Sequence, residues 1–112
     1  MNDCLFCKII DGQIPSKIIY EDELCAAFLD IAPLAPTHFL VVPRMHLSSA
    51  AEITEQSAAV VGHIFAVIAR LAAEQGFSDG YRVVTNVGAI AGQTVKHLHF
   101  HVLSGKELGS FN

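Results

Sequence analysis

Near the carboxy-terminal end, the run KHLHFHVLS places His97, His99 and His101 at every second position, with apolar Leu98, Phe100 and Val102 between them. Such alternation belongs to an extended strand, whose successive side chains point to opposite faces. The three imidazoles therefore share one face, about 6–7 Å apart at their backbones, and the apolar residues enter a core on the other. A metal cage, a catalytic row and a solvated strand that carries histidine are the open readings. A neutral imidazole nitrogen is a competent nucleophile toward phosphorus, and its neighbours can stabilise charge or protonate a leaving group near neutral pH. The loop just upstream, GAIAGQT, favours phosphate chemistry: Gly88 and Gly92 allow close backbone approach, and Gln93 and Thr94 add polar groups suited to phosphate oxygens. A second chemical group lies at the amino terminus, where CLFC spaces Cys4 and Cys7 so that two thiolates can meet one tetrahedral zinc. That knuckle is equally compatible with redox chemistry.

The elements that must position these residues follow from pattern. SKIIYEDELCAAFLD reads as two short strands joined at the EDE turn, with Cys25 filling core space. APLAPTH carries two prolines that block regular structure, then releases the chain into the β-rich run FLVVP. From Thr54 to Gln75 the period changes. Val60, Ile64, Val67, Ile68 and Leu71 fall on one helical face, with Thr54 placed to cap the start and Gly76 to end it. Val61, Phe65 and Ala72 widen the apolar stripe beyond one sheet face, which predicts a homodimer. His63 on this helix reads as a surface or interface residue. YRVVTNV and VKHLHFHVLS are the last two strands, so the class is α+β.

At 112 residues the chain has the size of one domain, residues 1–112, with no internal repeat or linker. A net charge of −4 and the lack of a basic cluster argue against nucleic acid or an anionic membrane as the main partner. No signal-peptide pattern and no run of ~18 apolar residues is visible, so a cytoplasmic protein is expected. Three cysteines make no disulfide framework in such a compartment.

HLHFHVL fits the alternating signature of the histidine triad (HIT) nucleotide-binding proteins, and the resemblance runs over nearly the whole chain. AFLDIAPLAPTHFLVVPRMH, GYRVVTN and GQTVKHLHFHVL resemble the branch of adenosine phosphoramidases and related small nucleotide hydrolases. The resemblance implies an antiparallel sheet of about five strands with one long helix and a short N-terminal helix, dimerising to an extended sheet. It implies cleavage at the α-phosphate of a purine nucleotide derivative, with His99 as nucleophile, His97 orienting it through its carbonyl, His101 assisting the leaving group and His38 supporting the triad. Thr94, Asn86, Gly92 and Gln93 would complete the phosphate pocket. Asp30 would bind the ribose, a reading that its position in the family block favours over a simple turn-starting Asp. Leu5, Phe6, Ile9, Ile14, Phe28 and Ile31 would form the base slot, although apolar positions near a strand are also ordinary core. Some bacterial members complete the Cys-x-x-Cys knuckle with two histidines, here matching His46 and His97, which implies a closed structural zinc site on Cys4, Cys7, His46 and His97.

The chain lacks the tryptophan-containing tail of eukaryotic phosphoramidases, leaving the leaving-group preference open. Rival readings are a dinucleoside polyphosphate hydrolase, a nucleotide-binding regulatory module with vestigial catalysis, and a three-histidine catalytic zinc centre.

Overall fold

A computed structural model describes residues 3–110. Two sheet faces are covered by different elements. The strands β1 (Ile18–Glu21), β2 (Cys25–Leu29), β3 (Thr37–Pro43), β4 (Arg82–Val84) and β5 (Phe100–Ser104) form one antiparallel sheet in the order β1-β2-β3-β5-β4. The short helix α1 (Leu5–Ile10) lies on one face and the long helix α2 (Ala58–Gln75) on the other. The expected α+β architecture is therefore present, short N-terminal helix included.

Period-two alternation divides β2, β3 and β5 between two cores. Cys25, Ala27, Phe39, Val41, Leu98, Phe100 and Val102 face α2, where they meet Ile64, Val67, Ile68, Leu71 and Ala72. Each fully buried aliphatic side chain here contributes about 1.5–3 kcal/mol. Ala26, Phe28, Leu40 and Val42 face α1, packing on Phe6 and Ile9. By length and composition α2 could cross a membrane, but its apolar face is taken up by the sheet. Phe65 remains 46% exposed beside Phe100.

The structure corrects three boundaries. The long helix starts at Ala58 rather than near Thr54, because the Thr54 amide donates to the Ser57 hydroxyl oxygen (3.0 Å) in a turn that precedes the helix. Its end is as read: Gly76 takes φ +82° and donates its amide to the Ala72 carbonyl. β4 is shorter than YRVVTNV, spanning Arg82–Val84. Regular pairing of the last strand begins only at Phe100, whereas the sequence suggested all of VKHLHFHVLS. β3 ends at Pro43, which has no N–H to continue a ladder. The segment before Phe100 is anchored otherwise: the Leu98 amide donates to the Leu47 carbonyl (2.6 Å), and the Thr85 hydroxyl to the His99 carbonyl (2.8 Å).

His63 is not an isolated surface residue. Its Nε2 lies 2.6 Å from Asp22 Oδ2, which also accepts from the Tyr20 hydroxyl at 2.7 Å. This pairing joins the β1–β2 turn to α2.

Candidate active site and metal-ligand cluster

The sheet face turned toward α1 carries the candidate active-site residues. Phe28, Leu40, His101 and Val84 stand in register across β2, β3, β5 and β4. The next row along the strands sets His38 and Arg82 on either side of Leu103. Over this face opens a pocket of about 600 Å³. Its wall includes His99 and His101 with His38, Asp30, Asn86, Gly92 and Thr94, and the apolar side chains Leu5, Phe6, Ile9, Phe28 and Ile31. Ile14 packs beneath, against the core under α1. Gln93 turns its side chain into the loop itself, accepting from the Gly88 amide (2.8 Å) and donating to the carbonyls of Ser48 (2.6 Å) and Val95 (3.0 Å). That leaves Gly92, held at φ +94°, and Thr94 at the wall.

The histidines are not equivalent. A carbonyl only accepts, so His99 Nδ1, 2.7 Å from the His97 carbonyl, carries the ring proton. Neutral His99 thus has its lone pair on Nε2. His99 is 6% exposed, pressed edge-on by Phe6 at 5.0 Å between ring centroids. His101, beside it at 5.1 Å, is more open to the pocket. Burial pushes the His101 pKa down, and the neighbouring His99 and His38 push it further, against the opposing pull of Asp30. The net shift favours the neutral ring. Asp30 divides its oxygens: Oδ1 accepts from the Ala32 amide at 2.8 Å, as a turn-starting Asp does, while Oδ2 lies 3.4 Å from His38 Nε2.

His97 points elsewhere. Its Nε2 donates to the Pro43 carbonyl (2.9 Å), so its Nδ1 lone pair faces Cys4 Sγ (3.3 Å), Cys7 Sγ (3.5 Å) and His46 Nδ1 (3.1 Å). Cys7 Sγ is 3.4 Å from His46 Nδ1, and all four ligand atoms lie within 4.8 Å of one another. Bonds of ~2.0–2.3 Å at tetrahedral angles separate ligand atoms by roughly 3.3–3.8 Å, and most of these contacts are near that range, so the four residues could hold a metal ion. The Pro43 carbonyl supplies the outer contact that fixes a ligating imidazole. Burial pushes the His97 pKa down, favouring the neutral ring that a metal needs. Sequence spacing produces the paired sulfurs: Cys4 caps α1, its Sγ accepting from the Cys7 amide one turn later.

The HIT domain profile matches residues 11–108. The chain belongs to the HIT domain family. This HIT protein is similar to a histidine triad protein from Clostridium difficile, with 47% identity, 100% of this chain and 98% of that one covered, and a TM-score of 0.95. It is also similar to a HIT family hydrolase from Clostridium thermocellum, with 43% identity, coverage of 98% and 96%, and a TM-score of 0.94. A hypothetical histidine triad nucleotide-binding protein from Sulfolobus tokodaii shares 32% identity over 97% of this chain and 77% of that one, with a TM-score of 0.80.

Sequence reasoning missed several groups at the site of this HIT protein. Arg82 and Val84 line the pocket because β4 pairs with β5, a register that no motif announces. Leu34 and Leu103 also reach the wall. The carbonyl of Pro43 and the amide of Leu34, which orient His97 and His38, are backbone atoms and carry no residue signature.

Proposed function

We propose that this HIT protein is a nucleotide hydrolase or transferase acting at the α-phosphate of purine nucleotide derivatives, nucleoside phosphoramidates or related conjugates. The observation that carries the reading is the His99 ring, locked by the His97 carbonyl with its Nε2 lone pair available, on the wall of a pocket that also holds His101 and Thr94. In the proposed reaction Nε2 attacks phosphorus, forming an N–P bond as the bond to the leaving group breaks. His101 contributes an N–H to the phosphate or the departing group. Water then cleaves the N–P bond, releasing the 5′-nucleotide and restoring His99. Asp30 would take the ribose hydroxyls, and Phe6, Phe28 and Ile31 the base; Asn86, Gly92 and Thr94 would frame the phosphate, with the Gln93 side chain bracing the loop that presents them. The similarity to a HIT family hydrolase and to a hypothetical histidine triad nucleotide-binding protein supports this class of chemistry.

A zinc ion held by Cys4, Cys7, His46 and His97 would be four-coordinate and closed, hence structural. It would supply no reacting position. A homodimer with a continuous sheet fits β4 standing at the sheet edge and Phe65 on the exposed side of α2. A cytoplasmic location is part of the same proposal.

One observation favours a second reading. Arg82 on the wall, whose guanidinium nitrogens donate to the carbonyls of Leu108 (3.1 Å) and Gly109 (2.5 Å), would add positive charge near an anionic leaving group, as in dinucleoside polyphosphates. Turnover of adenosine phosphoramidate against diadenosine polyphosphate separates the two. The central test is to trap a labelled nucleotidyl adduct and map it by mass spectrometry. Modification of His99 is expected; an adduct on any other residue, or none in a protein that turns nucleotide over, overturns the mechanism.

A further inference from the structure

His38 makes two contacts that fix where protons sit on the imidazoles beside the pocket. Its Nδ1 is 3.0 Å from the Leu34 amide nitrogen, and its Nε2 is 3.0 Å from His101 Nδ1. An amide N–H can only donate, so His38 Nδ1 is an acceptor and neutral His38 carries its proton on Nε2. That proton points at His101 Nδ1, which must accept. Neutral His101 therefore carries its own proton on Nε2, the nitrogen not held by His38. Asp30 Oδ2, 3.4 Å from His38 Nε2 and 4.0 Å from His101 Nδ1, favours the same placement, since a carboxylate attracts the Nε2–H and offers no proton in return. His38 is 4% exposed, so water does not compete for these contacts.

We propose that the Leu34 amide, acting through His38, is the positioning device that sets the tautomer of His101, holding it as an Nε2–H donor beside the Nε2 lone pair of His99. Two neighbouring histidines of one chain segment thus carry opposite tautomers, each dictated by a backbone group: a carbonyl for His99 and an amide for His101. The pocket receives one lone pair and one N–H, the complement needed by an attacking nucleophile and a charged phosphate oxygen or leaving group. With the His101 proton on Nδ1, a second lone pair would face anionic oxygen and repel it. The catalytic consequence rests on the phosphoryl-transfer reading; the tautomer itself does not, and it is measured without substrate.

The experiment is long-range ¹H–¹⁵N correlation on the full-length protein with ¹⁵N-histidine, at a pH where all rings are neutral. In the wild type His38 and His101 are expected to show protonated Nε2 and bare Nδ1, and His99 the reverse. In His38→Ala the His101 signals are expected to move toward a mixture, losing a preference of about tenfold. In His38→Gln, whose side-chain amide can still donate, the Nε2–H form is expected to persist. A wild-type His101 protonated on Nδ1 overturns the proposal. So does a His101 pattern unchanged in His38→Ala, or lost equally in the Ala and Gln variants. If the Ala variant fails to fold, the wild-type assignment and the Gln variant still decide, and loss of nucleotide turnover alone counts only against the proposed reaction.

Discussion

The His97 ring faces two cysteine sulfurs while its carbonyl accepts the Nδ1 proton of His99 at 2.7 Å. One residue therefore joins the candidate metal site to the proposed nucleophile, and disorder in the cluster should reach His99 through a single peptide carbonyl. Replacing Cys7 by Ser is expected to lower bound zinc well below one per chain and to reduce turnover about 10- to 100-fold, the usual cost of losing an outer contact to a functional group. Elemental analysis alongside steady-state kinetics checks this. Full zinc stoichiometry in the variant would remove Cys7 from the ligand set.

Loss of the His101 ring should depend on what leaves. An amine departing from phosphorus needs a proton, whereas a nitrophenolate does not. His101→Ala is expected to cut kcat/KM by about 10²–10³ on a nucleoside phosphoramidate and by far less on a nitrophenyl nucleotide ester. Equal losses on both substrates would assign His101 to phosphate binding rather than to leaving-group protonation.

Legibility in the sequence followed the distinction between side chains and backbone. The alternation of KHLHFHVLS correctly separates His97, His99 and His101 from Leu98, Phe100 and Val102, because a period-two pattern is a property of residue types. The start of α2 is displaced from Thr54 because the Thr54 amide turns back onto the Ser57 hydroxyl, a local conformation that the apolar period does not register. The partnership of His63 with Asp22 spans 41 residues and could not be read locally. Pro43 and Leu34 orient histidines through atoms that every residue, or every residue but proline, possesses.

Gly105 occupies φ +95°, and a Cβ added there would lie 2.9 Å from Pro36 Cβ, in the loop that leads to His38. Gly105→Ala combines left-handed strain with a steric push on an exposed proline that can partly give way. A destabilisation of about 1–3 kcal/mol is expected, seen as a lower urea midpoint at unchanged slope. A midpoint equal to wild type would show that the tail turn relaxes freely.

Asp22 provides the clearest pH dependence. Burial pushes its pKa up, but the Tyr20 hydroxyl, His63 and the amides of Leu24 and Cys25 all hydrogen-bond to the carboxylate and together hold it well below the ordinary range. Arg44, which donates to the Asp22 carbonyl, and Arg70, stacked over Tyr20, add positive charge nearby. A depressed folded-state pKa means that the stabilisation is fully present above the unfolded value of 3.8 and fades as pH falls toward the folded one. Asp22→Asn is therefore expected to cost about 1–2 kcal/mol at neutral pH, the scale of hydrogen bonds to a charged group on a partly solvated side chain. Below pH ~3.8 the unfolded chain's carboxyl takes up a proton that the folded carboxylate still resists, so the wild type loses stability that the Asn variant never had and the difference should narrow. Urea unfolding of both proteins at pH 7 and pH 3 isolates the effect, because other carboxylates titrate alike in each. A gap that stays constant or widens at pH 3 would mean that Asp22 stabilises the turn through shape alone.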